Sequence, residues 1–130
     1  MEINVTTSAK EQLIDITREV QKAVSESNIE IGICFVHVAH TTAGLTINEN
    51  ADPDVVHDIL LSLCDIVKNL RGFRHCEGNS TAHVKSSLIG NSVTVPVENG
   101  RLKLGTWQAI FFCEFDGPRS RRAWVNVIAN

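Results

Sequence analysis

An α+β domain, two main helices packed on antiparallel β-sheet, is the fold class this sequence predicts, and three observations predict it. Apolar residues recur at helical spacing in two stretches of the first half. After Gly90 the pattern changes to short alternating runs rich in Val, Ile and Phe, and the tripeptides Glu98-Asn99-Gly100 and Asp116-Gly117-Pro118 break those runs where chain reversals belong. A chain of 130 residues has room for one such domain and buries enough surface to hold a core without staples. Residues 1–130 are therefore read as a single unit, with no linker or internal repeat.

In chain order, Ser8 and Glu11 have capping-box spacing, and Leu13, Ile16, Val20 and Ala23 follow at helical intervals, which predicts a first helix over 8–26. From Ile29 to Ala39 the chain is apolar and β-branched, with Ile31, Ile33, Phe35 and His37 on one face and Cys34, Val36, Val38 and His40 on the other. Apolar groups on both faces predict a central strand. Leu45 to Glu49 alternates as a second strand. Asp52-Pro53 then supplies an N-cap and a first-turn proline for a helix whose stripe runs Val55, Val56, Ile59, Leu60, Leu63, Ile66 and Val67. His57 lies off that stripe and is expected to face solvent or another chain. A short helix over 81–89 closes at Gly90. Strands are expected at 92–97, 101–104, 108–115 and 121–129, the last two pairing as a hairpin.

Charge narrows the function classes. Twelve Lys and Arg against fifteen Asp and Glu give a net −3, so nothing global draws the chain to nucleic acid or to an acidic membrane. The distribution is uneven: residues 1–100 carry 7 basic and 13 acidic groups, residues 101–130 carry 5 and 2, and all five histidines fall between His37 and His83. No stretch of 18 apolar residues and no apolar leader segment occur, and the four cysteines at 34, 64, 76 and 113 form no CxxC pair. A cytoplasmic protein with reduced, mostly buried thiols is expected.

No phosphate-binding loop, dinucleotide fingerprint, HExxH or GxSxG is present, so chemistry must come from scattered residues. His40 stands where a buried strand runs out into a loop. With His75 and His83 it forms a possible three-imidazole metal site that leaves a position open for water or substrate. Spacing alone leaves the alternative that these are ordinary loop and surface histidines. Arg119, Arg121 and Arg122 face Glu114 and Asp116 across the predicted hairpin, either as a phosphate fork with carboxylates beside it or as a surface ion-pair ladder. Glu49 is a free carboxylate and a candidate general base; Lys85 is a candidate anion ligand or part of a solvated helix face. For Trp107 a core anchor is expected, and for His37 a satisfied core histidine.

Several segments are recognisable together: His40-Thr41-Thr42-Ala43-Gly44-Leu45-Thr46-Ile47-Asn48-Glu49 running to Asp52-Pro53, His75 with Glu77-Gly78-Asn79, and Ala82-His83-Val84-Lys85-Ser86-Ser87. They continue with Asn99-Gly100-Arg101-Leu102-Lys103-Leu104-Gly105-Thr106-Trp107-Gln108 and with Glu114 to Arg122. In this order they closely resemble the YjbQ-like family, also called secondary thiamine-phosphate synthase enzymes, over nearly the whole chain. The resemblance implies a homotrimer with sites near subunit boundaries. It also implies an activity that couples a hydroxymethylpyrimidine diphosphate to a thiazole phosphate with loss of pyrophosphate. The alternative is a non-catalytic binder of a metal or a phosphometabolite. Carried over residue by residue, His40, His75 and His83 become candidate ligands of a divalent metal, Zn or Mg. Glu49, His57 and Glu114 become candidate catalytic groups. Thr41, Asn48, Lys85, Arg121 and Arg122 become candidate ligands of a small phosphorylated substrate. Cys76, between His75 and Glu77, is expected to be incidental.

Overall fold

The computed structural model describes residues 1–130 as an α+β sandwich with eight strands and three helices: β1 Glu2–Thr6, β2 Gln12–Asp15, α1 Thr17–Ser27, β3 Ile31–His37, β4 Ala43–Glu49, α2 Pro53–Ile66, α3 Ser80–Ile89, β5 Ser92–Glu98, β6 Arg101–Leu102, β7 Gln108–Glu114 and β8 Ser120–Ala129. Two antiparallel sheets result, one ordered β1-β8-β3-β5-β6 and one ordered β2-β7-β4. Their facing sides make the main core. Cys34, Val36, Val95, Val97, Ala123 and Val125 of the larger sheet meet Leu45, Ile110 and Phe112 of the smaller, and Val20, Ala23 and Val24 of α1 join them. Each strand alternates side chains, so β7 also presents Ala109, Phe111 and Cys113 to the opposite side. There Leu63 of α2 and Ala82 of α3 cover them in a second, smaller core.

The first predicted helix is the main correction. Residues 12–15 form a strand, with Leu13 opposite Cys113, and the helix begins only at Thr17. Ser8 and Glu11 form no capping box: the Ser8 N–H donates to Gln12 Oε1 at 2.9 Å, and Asp15 Oδ1 accepts from the Thr17 N–H at 2.9 Å instead. Leu13 and Ile16 fit a 3.6-residue period and a strand-then-helix equally well, and pairing with β7 decides between them. The strand β1, whose buried positions alternate, adds an edge to the larger sheet that the sequence reading passed over.

Elsewhere the local signals hold. Asp52 accepts from the Asp54 N–H at 2.9 Å with Pro53 behind it. Asn99 and Gly100, both at positive φ (52° and 69°), make the two-residue reversal that sets Glu98 against Arg101. On α2 the stripe is only partly used: Leu63 and Val67 are buried, whereas Ile66 is 68% exposed. Trp107, expected in the core, is 62% exposed. His37 is half-buried on the outer face of the larger sheet, between the rings of Phe35 and Trp124. That outer face also exposes Ile31, Ile33 and Ile128, so β3 is central within its sheet but covered on one side only. All four cysteines are free; Cys34 and Cys113 are buried, while Cys64 and Cys76 are exposed.

Candidate functional site

The predicted hairpin of β7 and β8 does not exist, and its absence builds the site. The two strands lie in different sheets, and residues 115–119 carry the chain across one open end of the sandwich. Glu114, last on the inner face of β7, and Arg121, first on the inner face of β8, therefore meet between the sheets. Arg121 Nε donates to Glu114 Oε2 at 2.7 Å and its Nη2 donates to Oε1 of the same carboxylate and to Thr42 Oγ1 at 2.8 Å. Glu114 also accepts from the Thr7 hydroxyl at 3.0 Å and the Asp116 N–H at 2.9 Å. Burial alone would raise the Glu114 pKa, but the Arg121 guanidinium and these donors together hold it below the usual carboxylate value. Gly117 lets the crossing segment lie close: a Cβ there would overlap the Ala9 carbonyl oxygen.

Above this ion pair opens a cleft of about 360 Å3, lined by His40, Thr41 and Thr42 from the β3–β4 loop, His75, Glu77 and Asn79 from the α2–α3 loop, His83 of α3, and Asp116, Arg119 and Arg121. Five of the predicted residues line this cleft: His40, His75 and His83, with Thr41 and Arg121. His75 and His83 meet edge to face with ring centres 5.3 Å apart. His40 Nε2 accepts the Arg122 N–H at 3.1 Å. A backbone amide can only donate, so the neutral ring keeps its proton on Nδ1. Burial, then the nearby Arg121 charge, lowers the His40 pKa and favours that neutral form.

This arrangement does not fit a three-histidine metal shell. His40 has one nitrogen occupied as an acceptor and the other protonated, so neither lone pair is free for an ion. No three His, Cys, Asp or Glu side chains are grouped to hold one. What the cleft does hold is donors: the His40 Nδ1–H, the Thr41 hydroxyl and the half-exposed Arg119, whose Nη2 donates to Asp116 Oδ2 at 2.8 Å. Asn79 donates to the same carboxylate at 2.9 Å, and its own Oδ1 is buried without a partner. Asp116 stays below its usual pKa because the Asn79 and Arg119 hydrogen bonds outweigh the upward push of burial.

The remaining predicted residues stand outside the cleft of the single chain. Glu49 and Asn48 sit at the far end of β4, a seven-residue strand that spans roughly 20 Å; Asn48 Oδ1 accepts the Glu49 N–H. His57 is exposed on α2 beside Asp58 at 3.0 Å. Lys85 points from α3 toward Glu11, at 2.8 Å. The Arg122 side chain turns to the outer face of the sheet, over the Trp124 ring and toward Glu2, because alternation along β8 sends it opposite to Arg121. Glu114 is fully buried and paired, which leaves it no proton to exchange near neutral pH. Sequence reasoning weighed Arg119 and Asp116 only as a phosphate fork or an ion-pair ladder, and it left Asn79 outside its candidate set; the place of Asn79 beside His75 was the available signal. Thr7 and Thr42, single hydroxyls distant in sequence, gave none.

Comparison with known proteins places the fold in a family. The family model described as UPF0047 protein YjbQ-like matches residues 1–130. The chain belongs to the YjbQ-like UPF0047 family. It is 51% identical over 126 residues to a UPF0047 protein of Methanocaldococcus jannaschii, covering 97% of this chain and 91% of that one. It is 49% identical over 127 residues to YugU of Bacillus subtilis, covering 97% and 96%. Among solved structures, a YjbQ/UPF0047 family protein of Clostridium acetobutylicum superimposes with a TM-score of 0.96 at 53% identity, covering 98% of this chain and 99% of that one. A protein of Sulfolobus solfataricus described as of unknown function superimposes at 0.95 with 35% identity, over 100% and 96%. The family and its fold are thereby fixed for this chain. No helix is long and apolar enough to cross a membrane.

Proposed function

We propose that the cleft binds a small phosphorylated metabolite and that this YjbQ-like protein, as a homotrimer, carries the secondary thiamine-phosphate synthase coupling. The observation that supports the reading is the convergence of His40, His75, His83, Arg119 and Arg121 on one polar cleft, of a volume suited to a metabolite. In that reaction the ring nitrogen of the thiazole phosphate attacks the pyrimidine methylene carbon. A C–N bond forms, the C–O bond to the diphosphate breaks, and pyrophosphate leaves with the electron pair. No proton is removed from the attacking nitrogen, so the chemistry needs no general base. Glu114 and Asp116, both held ionised, suit that requirement. The need is instead for donors where charge develops on the leaving oxygens, the role open to Arg119 and the His40 Nδ1–H.

A divalent ion would add charge neutralisation of the diphosphate, but the present His40 geometry fits none. A non-catalytic phosphometabolite binder is the second reading, favoured by the pairing of both cleft arginines with carboxylates. Purified protein should form thiamine phosphate from the two phosphorylated precursors, and Arg119→Ala should lose about tenfold or more of that rate with its melting temperature nearly kept. Equal rates in the two proteins would remove the catalytic reading. Retention of pyrophosphate without turnover would favour the binder, and metal analysis after purification without added ions tests the cation directly.

An assembly of copies is supported by the outer face of the five-stranded sheet, and its count of three comes from the family resemblance. Ile31, Ile33 and Ile128 are each about half exposed or more there, beside Phe35 and Trp124, a contiguous apolar patch of the kind that marks an interface. Sedimentation should give three chain masses, and Ile33→Asp should lower that mass. A wild-type monomer would overturn the assembly.

A further inference from the structure

Away from the cleft, three elements bring a nucleophile, a cation and a carboxylate together. Cys64 lies in the last turns of α2, Lys85 in the middle of α3, and Glu11 just before β2. Lys85 Nζ stands 2.8 Å from Glu11 Oε2 and 3.4 Å from Cys64 Sγ; the thiol donates to Glu11 Oε1 at 3.3 Å. The Lys85 side chain is 5% exposed and that of Glu11 22%, whereas Cys64 is open to solvent. The sulfur thus sits at the surface with the ammonium beneath it. The cleft does not use these groups, and the second core beside them needs no charge.

We propose that Cys64 is a reactive thiol site that takes low-molecular-weight disulfides by exchange, with Lys85 as its activating partner and Glu11 as the group that holds the ammonium in place. Cys64 itself touches the disulfide; the other two act through it. The thiol proton passes to solvent water, Lys85 lies where negative charge gathers on sulfur as it attacks, and Glu11 fixes the ammonium there. The Cys64 sulfur then bonds to one sulfur of the disulfide, the original S–S bond breaks, and the departing thiolate leaves with the electron pair and takes up the proton. One disulfide is exchanged for another, so no further oxidant is needed. The site's surface position suits a small disulfide, which requires no enclosing cavity.

The molecule carries its own control. Cys76 is also exposed and free, but the one hydrogen bond of its sulfur runs to the Arg74 carbonyl oxygen at 3.9 Å. Intact protein treated with oxidised glutathione, quenched in time and mapped by peptide mass spectrometry, should gain the mixed disulfide at Cys64 about tenfold or more faster than at Cys76. Lys85→Met should remove most of that excess while the Cys76 rate stays put, with a melting curve to confirm that the variant is folded. A Cys64 rate equal to or below that of Cys76 in the wild-type protein would overturn the proposal, as would excess reactivity untouched in the folded Lys85→Met variant. The readout is independent of turnover in the cleft, so it fails or succeeds apart from the reading above.

Discussion

Two cation–carboxylate pairs are buried in this chain, and they differ in what completes them. Arg121 and Glu114 meet between two sheets, where Thr7, Thr42 and the Asp116 N–H occupy the remaining polar positions. Lys85 and Glu11 meet between two helices and a loop, and the position left over is taken by a thiol open to water. A closed network of this kind closes the end of the sandwich and fixes the floor of the cleft. An open one leaves a reactive atom at the surface. The difference follows from the elements: strands of two facing sheets enclose a pair on all sides, whereas the last turns of a helix end at solvent.

Breaking each pair on one side tests that contrast. Arg121→Met should cost about 3–5 kcal/mol, because it leaves a fully buried carboxylate without its cation. The double variant Arg121→Met with Glu114→Leu should recover most of the loss, since removing both charges removes the desolvation cost as well. In the same thermal melts Lys85→Met should cost less, about 1–3 kcal/mol, because the half-buried Glu11 can turn to water. The two pairs also separate along the pH axis. Glu114 titrates below its unfolded value, so its contribution is complete above the ordinary carboxylate range and is lost as the pH falls through the folded value. For Lys85 burial alone would lower the pKa, but the hydrogen bond and charge of Glu11 outweigh it and raise the net value. Its contribution is complete below about pH 10.4 and is lost as the pH climbs past the folded value. Equal costs for the two single variants would break the comparison.

Most of the fold and about half of the site were legible in the sequence, and the division has a physical basis. The Asp52-Pro53 start, the Asn99-Gly100 reversal and the core stripe of β3 are local signals, readable within a few residues. The segment 8–16 was not, because its apolar spacing satisfies two periods and the choice is made by pairing with a strand about a hundred residues later. The same holds at the site. His40, His75 and His83 stood out by residue type, and the structure gathers them. Lys85 and Arg122 stood out equally and face elsewhere, because side-chain direction depends on strand alternation and on which helix face meets which neighbour. Trp107 carries the same lesson: large apolar residues are buried only where another element reaches them, and none in this chain does.

A third pair, Arg119 with Asp116 at the cleft rim, completes the series from closed to open. The Arg119 side chain is 51% exposed, and a pair in that setting contributes about 1 kcal/mol or less to stability. Arg119→Ala should therefore leave the melting temperature within a few degrees of wild type. The same substitution removes the one cleft-lining guanidinium that solvent and ligand can both reach, since Arg121 is buried beneath the surface and held by Glu114 and Thr42. Pyrophosphate affinity, measured by titration calorimetry, should then fall about tenfold, the loss of roughly one charge-assisted hydrogen bond. Arg121→Met would confuse the two effects by disturbing the floor of the cleft, whereas Arg119→Ala separates them. A small stability change with a large affinity loss is the signature of a rim pair whose carboxylate holds the cation ready for an anion. A large stability change with unaltered affinity would place Arg119 with the closed network instead.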